Sequence, residues 1–236
     1  MAKISTKTPF DTDLGLKDSH VLVTGGCGLI GKVVAHAFLA SGAYVSIVDL
    51  NSPEQCPFDQ EDDHVAYFRG DITKDIDHVF DQAESRFGPV ECCIALASLD
   101  LSVLQQHDSL CDMDPATWQR VFDVNINGTF LTCQRWLKGV RSATQDPAKA
   151  ERLRNVNLVI MGSESGRFGV RTMAAYAAGK SAVQYGLLQS LAKDAPRIYK
   201  HARVNAVAPG AVDTDRFKEE SQRYGELWRW EECEAT

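Results

Sequence analysis

The chain of 236 residues has no apolar run approaching the ~20 residues that a membrane-spanning helix needs, so no membrane partner is expected. Basic residues are not in surplus. Lys and Arg number 25 against 32 Asp and Glu, for a formal charge of −7 and a pI near 5.4, whereas a nucleic-acid surface calls for a basic stripe. The stretch from Met1 to Asp18 has no apolar h-region, unlike a secretory signal, and reads as a short exposed arm. Neither a C-x-x-C nor an H-E-x-x-H pattern occurs, and no metal is expected. The seven cysteines (Cys27, Cys56, Cys92, Cys93, Cys111, Cys133 and Cys233) are odd in number and scattered. A disulfide framework favours even, patterned cysteines, so they read as free thiols in a reducing cytoplasm. No repeat and no break in composition divides the chain, and residues 1–236 are expected to form one domain around one large core.

What is present is an alternation of short apolar runs and amphipathic stretches, the signature of a parallel sheet flanked by helices. Strands are expected at 20–23, 44–49, 64–68, 90–97, 157–161 and 202–207. A helix from about Thr73 to Arg86 ends at Gly88-Pro89. A longer helix begins at Asp114 as N-cap with Pro115 in its first turn, and should carry Trp118, Val121, Phe122, Val124, Phe130 and Leu131 toward the core. Residues 141–154 are polar and read as a surface connection. Residues 216–232 read as a terminal helix with Trp228 and Trp230 as apolar anchors. The expected fold is α/β, a Rossmann-like doubly wound parallel sheet of six strands in three layers.

After the first strand comes Thr24-Gly-Gly-Cys-Gly-Leu-Ile-Gly31, which opens a helix. Gly26, Gly28 and Gly31 satisfy the G-x-G-x-x-G spacing between strand and helix. Glycines there allow a tight turn and close backbone approach to a pyrophosphate held on the helix N-terminus. Asp49 closes the second strand, roughly twenty residues on, where such folds hold the adenosine ribose. Its carboxylate accepts from a ribose 2′-hydroxyl and repels a 2′-phosphate, and Leu50, Asn51 and Ser52 bring no cation to offset that repulsion. NAD(H) is therefore the expected cofactor, with Lys32 the one nearby cation in sequence.

Tyr176-Ala-Ala-Gly-Lys180 places a phenol and an ammonium four residues apart on one helix face. A phenol titrates near ~10, and an adjacent positive charge brings it toward the range in which it serves as a general base. Taken alone, the pair also reads as a solvated helix pair. With the glycine turn, Asp49, and the segments Val124-Asn-Ile-Asn-Gly128 and Ala208-Pro-Gly-Ala-Val-Asp-Thr214, the chain resembles the compact single-domain branch of the short-chain dehydrogenase/reductase family over about Leu16 to Thr214.

The resemblance implies a catalytic set of Asn125, Ser163, Tyr176 and Lys180. Tyr176 would exchange a proton with the substrate oxygen, Ser163 would hydrogen-bond that oxygen, Lys180 would bind the nicotinamide ribose and lower the Tyr176 pKa, and Asn125 would hold a water leading to solvent. Asp71 would contact adenine, and Pro209, Gly210 and Thr214 would hold the nicotinamide end. The cofactor would lie along Gly25, Gly26, Gly28, Leu29, Ile30, Gly31, Asp49, Leu50, Asp71, Ile72, Ala97, Tyr176, Lys180, Pro209, Gly210, Val212 and Thr214. A structural reading stands beside each: Ser163 as a strand-end turn residue, Asn125 as a helix polar group bonded to a neighbouring strand.

Three departures from the family pattern shape the expectations. The middle glycine of the compact branch is replaced by Leu29, while Gly25, Gly28 and Gly31 follow the spacing of the extended branch. The family's N-N-A-G segment is Ala95-Leu-Ala-Ser98, so asparagine side chains that brace the central strand are missing. The family's final helix and last strand, roughly thirty residues, have no counterpart before Thr236, which predicts a six-stranded sheet with an exposed edge. That edge implies either unusual association or a shortened form with reduced activity. The expected function is NAD(H)-dependent interconversion of a secondary alcohol and a ketone. The alternatives are a redox-neutral isomerase, dehydratase or cyclase, and a non-catalytic nucleotide-sensing protein. The substrate pocket should be bounded by residues 98–102, 164–173 and the segment after Pro209, with Phe168 and Met173 as apolar walls. Arg167 and Arg171 read either as anion-recognition groups or as surface arginines. A homodimer through the helices bearing Asn125 and Tyr176 is expected.

Overall fold

A computed structural model of the protein describes residues 14–59, 61–101, 103–104, 109–171 and 173–233, apart from the side chains of residues 216 and 227–233. The expected Trp228 and Trp230 anchors therefore lie outside the described residues. The elements run β1 His20–Thr24, α1 Leu29–Ala40, β2 Tyr44–Asp49, β3 Val65–Arg69, α2 Ile76–Phe87, β4 Cys92–Ala95, α3 Pro115–Phe122, α4 Thr129–Thr144, α5 Pro147–Ala150, β5 Asn157–Met161, α6 Ser165–Phe168, α7 Ala174–Ser181, α8 Leu188–Ile198, β6 Arg203–Val207 and α9 Asp215–Cys233. Two π-helical turns, Asp123–Gly128 and Ala182–Leu187, join α3 to α4 and α7 to α8.

All six strands are parallel, in the order β3-β2-β1-β4-β5-β6. The direction of winding reverses between β1 and β4, and the crevice at the carboxyl ends of strands beside such a reversal is where open α/β sheets bind ligands. The alternation of side chains along each strand divides the core in two. Val21, Val23, Val45 and Ile47 face α1, through Ala35, and the loop residue Phe58. Leu22, Val48, Leu158 and Ile160 face the other way, onto Phe80 and Val79 of α2, Trp136 and Val140 of α4, and Ala195 of α8. Burial of each large side chain here stabilises the fold by about 1.5–3 kcal/mol relative to exposure. Toward β6 the first face thins out, with Arg203, Asn205 and Val207 exposed while Val204 is buried, and among the described residues no strand pairs with its outer edge.

Several boundaries differ from the sequence expectation for local reasons. α2 starts at Ile76 rather than Thr73 because the Asp71 carboxylate accepts hydrogen bonds from the Thr73 amide and hydroxyl, at 2.9 and 2.7 Å, and holds a turn there. β4 is confined to Cys92–Ala95. Beyond it the Thr24 hydroxyl accepts from the amides of Leu96 and Ala97, at 3.1 and 3.2 Å, supplying the brace that the absent asparagines would give. Asp114 caps α3 as expected, accepting from the Ala116 amide at 3.1 Å. The helical path then runs on through α4 to Thr144, with Val140, Ala143 and Leu153 buried, so residues 141–154 are only partly a surface connection. Trp118 and Phe130 do not face the core. They are 37% and 43% exposed, Trp118 stacking on Phe122; at about 100° per residue, Phe130 falls about 180° round the helix from the buried Val121, so one inward face does not hold both. α9 breaks at Gly225, whose φ of +89° lies in the left-handed region that favours glycine.

Candidate active site

A cavity of about 850 Å³ opens along the carboxyl ends of the strands, with walls drawn from the segments after all six. At one end lies the glycine turn. Gly31 is required by packing, since a Cβ there would overlap the Gly25 carbonyl oxygen and sit 2.8 Å from the Gly26 Cα. Gly26 is pressed against Ile47, and Gly25, at φ +69°, against the backbone of Ala97. Gly28 differs: a Cβ there would meet only the Gly25 oxygen, at 3.3 Å, and the residue lines the cavity as the N-cap of α1. The fold leaves open the place where an anion would meet the helix N-terminus. Gly28, Leu29 and Gly31 thus form a tight strand-to-helix turn despite the displaced middle glycine.

Asp49 stands beside this turn, its carboxylate accepting from the Cys27 amide at 2.9 Å and from the Asn51 amide at 3.2 Å. Burial, followed by the Asp49 charge, pushes the Cys27 thiol up to about 12, so it is a neutral packing group at neutral pH. Leu29 and Leu50, 50% and 63% exposed, and Asp71 with Ile72 give the cleft apolar and polar walls suited to an adenosine. Parallel pairing also sets Arg69 opposite Asp49, with its Nε donating to the Leu50 carbonyl at 3.3 Å. This cation comes from the neighbouring strand, twenty residues away from Asp49, so the residues that follow Asp49 carry no sign of it.

At the other end, Ser163, Tyr176 and Lys180 converge on the same cavity from β5 and α7. Ser163 Oγ accepts from the Ser165 amide at 3.2 Å. The Lys180 ammonium lies 5.6 Å from the centre of the Tyr176 ring and donates to the Met161 carbonyl at 2.9 Å and to Ser98 Oγ at 3.3 Å. Burial lowers its pKa to about 8, against the opposing pull of the Asp100 carboxylate. Asn125 lies in the π-helical turn, a local geometry that recurs at functional sites. Its side chain is committed to one backbone position, accepting from the Leu99 amide at 2.7 Å and donating to the Leu99 carbonyl at 2.9 Å. It therefore ties α3 and α4 to the loop after β4.

Every residue expected to contact the cofactor lines the cavity except Gly26 and Gly31, which shape the turn from behind; Asn125 is likewise set back from the wall. Phe168, Met173, Arg167 and Arg171 do not line it. Met173 is buried, and Phe168 is 56% exposed with the Arg167 guanidinium over its ring. Beside Lys180, Arg120 of α3 lines the cavity, together with Asp100, Glu164 and Glu220. The Glu164 carboxylate rests against Gly210, where a Cβ would come within 2.7 Å of Oε2. Ser98 lines the cavity as expected for the segment 98–102, whereas sequence spacing gave no signal for Arg120 or Thr24, whose places depend on tertiary packing. Among the described residues no group of three or more His, Cys, Asp or Glu is placed to hold a metal, and no helix is long and apolar enough to cross a membrane.

The chain is similar to several dehydrogenases and reductases. It is 33% identical over 203 residues to the 2-(S)-hydroxypropyl-CoM dehydrogenase 3 of Xanthobacter autotrophicus, covering 84% of this chain and 72% of that protein. It is 27% identical over 210 residues to the 3-oxoacyl-[acyl-carrier-protein] reductase MabA of Mycobacterium tuberculosis, covering 86% and 73%. The solved structure of levodione reductase superimposes with a TM-score of 0.71 at 24% identity, over 88% of this chain and 77% of that one, a likeness of fold. The short chain dehydrogenase family model matches residues 19–225, from the first strand into the terminal helix, and the chain belongs to that family.

Proposed function

We propose that the protein is an NAD(H)-dependent oxidoreductase that interconverts a secondary alcohol and a ketone of a small organic molecule. The observation that carries this reading is the convergence of Ser163, Tyr176 and Lys180 on one end of a cavity whose other end is built from the glycine turn and Asp49. The relatives support the substrate class, since one is named for a hydroxypropyl compound and another for an oxoacyl group.

When bound, the nicotinamide supplies a hydride acceptor or donor. The turn at Gly28 and the α1 N-terminus would hold its pyrophosphate, Asp49 its adenosine ribose, and the segment from Pro209 to Thr214 its nicotinamide end. Tyr176 takes the alcohol proton in oxidation and returns it in reduction. The Lys180 charge beside the ring favours the phenolate, and the Ser163 hydroxyl hydrogen-bonds the substrate oxygen as it develops alkoxide character. The buried Asn125 pair keeps the loop carrying Leu99 in place beside this centre. The protein acts in the cytoplasm, where its cysteines stay reduced. It pairs as a homodimer through α3, α4 and the helical path from α7 into α8, whose exposed aromatic residues Trp118, Phe130 and Tyr185 support an interface there.

Calorimetric titration with NADH and NADPH tests the cofactor assignment. Tight NADH binding with much weaker NADPH binding is expected, and equal affinities would show that Arg69 offsets the repulsion from Asp49. Tyr176→Phe is expected to keep NADH affinity and to lose turnover by a factor of roughly 10² or more. Unchanged turnover of alcohols and ketones by that variant would remove Tyr176 from its role.

A further inference from the structure

Gln184 belongs to no motif discussed so far, yet it is 6% exposed and joins the two parts of the reactive centre. It lies four residues beyond Lys180, in the π-helical turn that continues α7. Its Oε1 accepts from the Ser163 amide at 2.8 Å. Because the group it faces is an N–H donor, an acceptor is required at this point, and the carboxamide oxygen supplies it. The segment from Gly162 to Gly166 is shaped around this side chain. A Cβ on Gly162 would overlap Oε1, and one on Gly166 would come within 2.7 Å of Nε2.

We propose that Gln184 is a positioning residue for Ser163, an inference that rests on the oxidoreductase reading above. Ser163 stands at the end of β5, whereas Tyr176 and Lys180 stand on α7, and both must address a single substrate oxygen. The bond from Gln184 fixes the Ser163 backbone to the helical path that carries the other two. Ser165 meanwhile occupies one lone pair of Ser163 Oγ, leaving the hydroxyl proton and the second lone pair for the substrate oxygen. Catalytic groups must be held to about 0.5 Å, and a displacement of about 1 Å costs on the order of 10²-fold in rate. Without the Gln184 bond the serine would keep its place in the sequence but lose its fixed distance from the phenol.

The test uses Gln184→Met, which keeps the length and bulk of the side chain but removes the acceptor. Hydrogen exchange followed by NMR should show the Ser163 amide exchanging about tenfold faster, with the β5 amides unchanged. NADH affinity should stay within about twofold of the parent, whereas kcat should fall roughly 10- to 100-fold with little change in KM. In a Ser163→Ala background the same substitution should lower kcat by less than about twofold, because the group it positions is gone. Gln184→Glu retains the acceptor and should preserve both the Ser163 protection and most of kcat. The proposal is overturned by unchanged Ser163 exchange in the methionine variant, by full additivity with Ser163→Ala, or by a glutamate variant as impaired as the methionine one. If the parent chain turns over no alcohol or ketone, the functional reading fails by itself. The exchange comparison then still decides whether Gln184 holds Ser163.

Discussion

Acidification should destabilise this protein through His20, and the size of the effect follows from where that residue sits. His20 begins the buried strand β1, with Nδ1–H donating to the Gly88 carbonyl at 2.7 Å and Nε2 accepting from the Ser46 hydroxyl at 2.8 Å. Burial lowers its pKa from 6.5 to about 4; the Gly88 bond opposes that shift and the Arg152 charge adds to it. Above pH 6.5 the imidazole is neutral in both folded and unfolded chains and adds no pH dependence. Below that, the unfolded chain takes up the proton first, so stability falls as pH drops toward 4. The loss is about 2 kcal/mol at pH 5 and levels off at roughly 3 kcal/mol below pH 4. Urea unfolding of the parent and of His20→Leu between pH 7 and 4 isolates this contribution, because every other titratable group is common to both. The leucine variant starts lower, by about 1–3 kcal/mol, since it strands the Gly88 carbonyl and the Ser46 hydroxyl. Its curve should then fall less steeply, closing most or all of that gap by pH 4. Two parallel curves would refute the claim that the fold holds His20 neutral.

Other outcomes follow from the glycine turn and the buried lysine. Gly28→Ala should leave thermal stability within about 1 kcal/mol of the parent, since φ is −69° and the one close contact of a Cβ, 3.3 Å from the Gly25 oxygen, calls for only a small shift, while lowering NADH affinity at least tenfold by filling the anion site. Gly31→Ala should instead lower the melting temperature sharply, by an amount matching about 1–3 kcal/mol or more of overpacking, and the two variants are separated by calorimetry with and without NADH. Lys180→Met should raise stability at pH 7 by about 1–2 kcal/mol, because a desolvated ammonium is removed at the expense of its bond to the Met161 carbonyl, while turnover is lost. For Lys180, whose pKa falls from 10.5 to about 8, parent stability should rise with pH across that interval, and this slope should vanish in the methionine variant.

Much of the fold was legible in local pattern. Apolar runs of strand length, glycine-marked turns and the Asp114-Pro115 helix start each act over a few residues, and the structure reproduces them to within a few positions. The Tyr176 and Lys180 pair was legible for the same reason, since a helix brings i and i+4 together whatever surrounds it. Periodicity over a long segment was less secure. The expectation that Val121 and Phe130 both point inward overlooked that nine residues of helix carry them to about opposite faces, and of the two only Val121 is buried.

What only the tertiary structure decided depends on sheet order and on contacts between residues far apart in the chain. Thr24 bracing Leu96 and Ala97, Arg69 standing opposite Asp49, Arg120 reaching the cavity and Gln184 holding Ser163 are separated by between about twenty and ninety-five residues. No local spacing encodes them, because each requires parallel strands to be paired in register and helices to be packed across them. The sequence by itself indicated the elements, the glycine turn between strand and helix, and the candidate residues for a site. The fold brought those residues to the carboxyl ends of six parallel strands, where burial lowers the Lys180 pKa, closes off Gly26 and Gly31, and leaves Gly28 open to a ligand.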